Sequence, residues 1–116
     1  MPIPSEINAL VERINNELEQ IEQETTEGMD LAKTILNRFP ENNVLIQMFA
    51  FLNSVIFLIS TERNRIRTIV ETLSLSDEIT SEEIQMAGED LSTKLGRLLE
   101  TKLRVRNLKN RLENLQ

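Results

Sequence analysis

Residues 44–59 read Val-Leu-Ile-Gln-Met-Phe-Ala-Phe-Leu-Asn-Ser-Val-Ile-Phe-Leu-Ile, and 13 of these 16 are apolar. The sequence on both sides is charged and amphipathic. A run this apolar needs cover from water, so it is expected to be the buried middle of a helical assembly. It constrains shape far more than it constrains chemistry.

Two points of punctuation divide the chain. Phe39-Pro40-Glu41-Asn42-Asn43 ends one segment and opens the next, because Pro cannot continue a helix and Asn caps one well. At the second, Ser76-Asp77 offers a cap and Thr80-Ser81-Glu82-Glu83 has the pattern of a capping box through Thr80 and Glu83. The spacing predicts helices over 5–38, 42–74 and 80–115, each roughly 50 Å long at about 1.5 Å per residue. In 116 residues this amounts to one helical-bundle domain over 1–116. The expected fold is all-α, an elongated antiparallel three-helix bundle of long coiled-coil-like helices.

The first segment carries two columns at heptad spacing. Ile7, Ile14, Ile21, Gly28 and Ile35 form one; Val11, Leu18, Thr25, Ala32 and Phe39 form the other. Thr25 and Gly28 weaken the middle, and a break near Gly28, giving four helices, is the alternative this pattern leaves open. The third segment is amphipathic through Ile84, Ala87, Leu91, Leu95, Leu98, Leu99, Leu103, Leu108, Leu112 and Leu115. Gly88 and Gly96 within it suggest close helix approach.

On a helical wheel the second segment has a wide apolar arc that includes Val44, Leu45, Met48, Leu52, Val55, Leu58 and Ile59. Outside it, between the polar lines Gln47–Ser54 and Asn53–Ser60, runs a second stripe: Ile46, Ala50 and Phe57. Three helices have no fourth neighbour to cover this stripe, which is therefore expected to be a contact site. The expected partner is another copy, with a dimer favoured, or a helical protein. Internal cover by a split first segment or a bent third segment is the alternative. A membrane-associated hairpin is a further one, although sixteen residues fall short of the ~20 that span a bilayer and no Trp or Tyr marks an interface.

The chain has no Cys, His, Trp or Tyr. That excludes thiolate nucleophiles, Ser-His triads and Glu-x-x-His metal pairs. No catalytic, metal-binding or cofactor-binding residue is expected, and no enzyme. The stretch Gly88-Glu-Asp-Leu-Ser-Thr-Lys94 lacks the glycine and the preceding strand of a phosphate loop.

The formal charge is −6, which disfavours bulk attraction to nucleic acid. Acids concentrate in the first segment, whereas Lys94, Arg97, Lys102, Arg104, Arg106, Lys109 and Arg111 face only Glu100 between residues 94 and 111. Arg104, Arg106 and Arg111 are the candidate phosphate contacts for a nucleic-acid accessory role. A helix dipole, or an acidic surface of another subunit, is the structural use of the same charges. Arg63, Arg65 and Arg67 are expected to meet acids on both neighbouring segments, with Arg65 near Glu17 and near Glu89 and Asp90.

Long helices joined end to end resemble the helical spacer regions of type I restriction specificity subunits, and also phage and bacterial coiled-coil adaptors. The resemblance lies in the helices and rests on no motif. It implies a piece that spaces or assembles other subunits of a restriction-modification system. Met-Pro-Ile-Pro-Ser-Glu has neither a basic region nor an apolar stretch of leader type, and with the lack of Cys this sets the expectation of a cytoplasmic protein. The expected function is a non-enzymatic adaptor or scaffold that self-associates through the central helix.

Overall fold

Side-chain caps set where the chain turns. Asn42 accepts a hydrogen bond from the Leu45 backbone N–H at 3.1 Å, and Thr80 accepts one from the Glu83 N–H at 3.1 Å. Each satisfies an amide that the first turn of a helix would leave unpaired. The structure, a computed structural model, describes residues 3–116; Met1 and Pro2, part of the stretch expected to carry no leader, lie outside the described residues. Three helices result: α1 over Ser5–Arg38, α2 over Asn43–Leu75 and α3 over Ser81–Asn114. They run up, down and up in a rod of 59 × 19 × 17 Å. The fold is the all-α three-helix bundle expected from the sequence.

The heptad columns form the core except at their end, where Phe39, expected in the seam, caps α1 and is 57% exposed. Ile7, Ile14, Leu18, Ile21, Thr25, Gly28, Ala32 and Ile35 are buried on α1. Leu45, Met48, Leu52, Val55, Ile59, Ile66 and Leu73 face them from α2, and Leu91, Leu95, Leu98, Val105 and Leu112 from α3, whereas Leu103 and Leu115, expected on the same face of the third segment, are exposed. Ile79, buried at 6% exposure, anchors the second turn.

α1, rather than the more apolar α2, is the middle of the bundle. It packs against both other helices, while α2 and α3 touch each other much less. The physical reason is that α1 presents a narrow seam with small residues in it, which two helices can approach together. The wide arc of α2 consequently stays partly open: Val44 is 56% and Leu58 37% exposed, both expected inside.

α1 is continuous through Gly28, so the four-helix alternative does not hold. The Thr25 hydroxyl donates to the Ile21 carbonyl at 2.6 Å, one turn back in the same helix. Gly28 is small for packing reasons, since a Cβ there would meet Leu52 Cδ1 at 3.2 Å. Close approach does not account for the other two glycines. A Cβ at Gly96 would meet nothing within 4 Å, and one at Gly88 would make ordinary contact with Ile7 at 3.7 Å.

Candidate functional site

The second stripe of α2 lies on the outside of the bundle. Ile46 is 45% and Phe57 71% exposed, and Ala50 between them is exposed as well. All three point the same way because their spacings of four and seven residues are close to whole helical turns. The neighbouring exposed residues Gln47, Asn53, Ser54, Ser60 and Thr61 are polar and neutral. No charged residue occurs between positions 43 and 61. The face is thus apolar along its centre, neutral at its flanks, and widened by Val44 and Leu58.

Charge begins where this face ends. Glu41 is exposed in the turn before α2, and Arg65 and Arg67 are exposed beyond it. The Arg63 guanidinium donates to both carboxylate oxygens of Glu22 on α1, at 2.6 and 3.3 Å. This sets the antiparallel register about three residues from the one expected. Arg65 does not reach Glu17, Glu89 or Asp90; it turns back on its own helix and donates to Glu62 Oε1 at 3.1 Å. Arg67 and Glu41 form no ion pair among the described residues.

The basic run of α3 is occupied within the chain. Lys102 donates to Glu17 and to the Gln20 side-chain carbonyl, both at 2.8 Å. The Arg106 Nε donates to Glu24 at 2.8 and 3.0 Å. Lys109 donates to Glu27. The acidic surface proposed as another subunit's is therefore α1 of the same chain, running parallel to α3. Hydrogen bonds from Lys109 and then Gln23 hold the Glu27 carboxyl below the usual carboxylate range. The same bond to Glu27 holds Lys109 above the usual lysine range.

The three arginines singled out for phosphate have separate surroundings. Arg106 belongs to Glu24. Arg104 lies over the Phe51 ring with 4.7 Å to the centroid, a cation–π arrangement. Arg111 stands beside Val44, Leu45 and Leu115 in a shallow hollow at one end of the rod.

Glu62 and Lys94 were not anticipated as a pair. Glu62 follows Val55 by one heptad, in the column that faces the core, so a charge in an apolar column was the available signal. Its side chain is 9% exposed, that of Lys94 on α3 11%, and Lys94 Nζ lies 3.2 Å from Glu62 Oε2. Nearby, where α2 and α3 separate, Ile69, Leu73, Met86 and Ala87 line an open groove.

Among the described residues no group of three or more candidate ligands is placed to hold a metal ion. One helix among them is long and apolar enough to cross a membrane: a window of α2 has mean hydropathy 2.0 and is 28% buried inside the bundle. No protein-family model, curated protein or solved structure matches the chain.

Proposed function

We propose that the protein is a non-enzymatic assembly protein that associates with a second copy of itself through the outer face of α2. The observation that supports this reading is the exposure of Ile46, Ala50 and Phe57 in line on a helix whose other side is already packed. A face of this size and apolarity is costly to leave in water, and burying it against another copy removes that cost. A helical protein of different sequence would fit the same face and is one outcome of the test.

Light scattering on the detergent-free protein across a dilution series is the direct test. A dimer is the expected species; a monomer at every concentration overturns self-association. Phe57→Glu sharpens the result. Phe57 is 71% exposed in the single chain, so the substitution should change folding stability by no more than about 0.5 kcal/mol. In the dimer it removes most of the burial of one phenyl ring per copy, about 1–2 kcal/mol each. The two copies together should raise the dimer Kd roughly 30- to 1,000-fold. Loss of helix content instead would put Phe57 in the core of the monomer and defeat the reading.

A lipid surface is the second reading, favoured by the hydropathy of α2 and the small buried share of its apolar window. Flotation with liposomes would support it, and full solubility without detergent would remove it.

A further inference from the structure

We infer that the two copies meet antiparallel, with a two-fold axis crossing α2 midway between Ile46 and Phe57. This rests on the proposed self-association and adds the geometry of the contact.

The spacing within the stripe carries the first part of the argument. Ile46 and Phe57 are eleven residues apart, three helical turns, so they share a face about 16 Å apart along the axis. A two-fold placed between them sets Ile46 of each copy against Phe57 of the other. The bulky side chains then pair at both ends of the contact. At the middle stand Ala50 and Asn53, and the small Ala50 lets the two backbones approach.

Charge carries the second part. Along α2 and the turn before it, the exposed charges nearest this face are Glu41 at one end and Arg65 and Arg67 at the other; Lys33 and Arg104 of the neighbouring helices lie over the Phe49 and Phe51 rings to its sides. A parallel pairing would put Glu41 beside Glu41 and the arginines beside the arginines. The antiparallel pairing brings Glu41 of each copy to the level of residue 62 of the other, one residue before Arg63 and within side-chain reach of Arg65 and Arg67. Among the described residues Glu41 and Arg67 have no ion-pair partner, which leaves them available to pair across the interface. Rim charges of this kind select orientation more than they add affinity. The neutral stretch from 43 to 61 offers no charge that would oppose either copy.

Because the chain has no Cys, single cysteine substitutions read the geometry directly. Asn53→Cys lies next to the axis, about 4.5 Å along the helix from its own counterpart. It should form a covalent dimer under mild oxidation or with a short bis-maleimide. Asn43→Cys and Thr61→Cys lie near the ends, each roughly 25 Å or more from its own counterpart along the axis, far outside disulfide reach. Neither should link to itself, but a mixture of the two variants should give a crosslinked heterodimer. Light scattering on the same variants separates the two levels of the argument. A dimer in which Asn43→Cys and Thr61→Cys each link to themselves keeps self-association and overturns the antiparallel arrangement. A dimer in which no variant crosslinks overturns this face as the interface. A monomer throughout overturns the association reading and this geometry with it.

Discussion

Replacing Lys94 by Met should destabilise the fold, and replacing Glu62 by Leu in addition should restore it. Glu62 occupies a core-facing position of α2 and is buried. Lys94 Nζ approaches its Oε2 to 3.2 Å across the seam between α2 and α3, yet that oxygen is buried and accepts no hydrogen bond. The two facts agree, because an ion pair needs only distance whereas a hydrogen bond also needs alignment. At an effective dielectric near 20, the gross attraction at this distance is about 5 kcal/mol. Desolvating the two ions costs several kcal/mol each, so the pair contributes about zero net stability. Lys94→Met removes the attraction and leaves the carboxylate buried with Arg65 alone, whose side chain is 61% exposed. The cost should be about 2–3 kcal/mol, below the full cost of stranding a buried charge because Arg65 remains. Glu62→Leu alone should cost only about 1 kcal/mol, because the lysine stem can carry its ammonium out to water. The double variant should lie within about 1 kcal/mol of the parent, giving a coupling of about 2–4 kcal/mol. Urea unfolding followed by far-UV circular dichroism measures all four proteins, provided the m-value is unchanged. Additive single effects, with coupling below about 0.5 kcal/mol, would refute the claim that these two charges depend on each other.

Gly96→Ala should stabilise the protein by about 0.5–1 kcal/mol in thermal or urea unfolding, since the new methyl enters open space and glycine lowers helix propensity. Gly28→Val should destabilise it by about 1–3 kcal/mol, because Leu52 already fills that space. The lowered Glu27 value means that its bond to Lys109 stabilises the fold above the ordinary carboxyl value of 4.5 and is lost as pH falls through the folded value. The raised Lys109 value means that the contribution is present below 10.5 and is lost as pH rises through the folded value. The Tm difference between the parent and Glu27→Gln should therefore be flat from about pH 5 to about pH 10 and vanish in acid, and salt should shrink it. The protein should fail to bind DNA or RNA even at low salt, because Glu24 and Phe51 already engage Arg106 and Arg104. Salt-dependent binding abolished by neutralising Arg104, Arg106 and Arg111 would overturn that expectation.

Much of the fold was legible because its signals are local. Pro40 with Asn42, and Thr80, mark the turns by stereochemistry and capping, and the helix bounds fall within a residue or so of those expected. The Ile46–Ala50–Phe57 stripe was legible too, because which residues share a helical face depends only on spacing. Gly28 was misread as a site of weakness. Helix propensity sees a missing side chain, but only the neighbour across the seam, Leu52, shows that the absence is filled. The basic run on α3 was legible as charge but not as partnership. Whether Lys102 meets Glu17 depends on α3 lying beside α1, 85 residues away in sequence.

By itself the sequence determined the helices, their ends, and which residues share a face of each. The reason is that 3.6-residue periodicity and capping are properties of a few consecutive residues. The tertiary structure alone decided which helix became the middle. α2 is the most apolar, yet α1 took the centre, because its narrow seam admits two neighbours and its carboxylates neutralise the cations of α3. That choice left part of α2 uncovered, and it is the packing of three helices, rather than the composition of any one, that puts Phe57 in water.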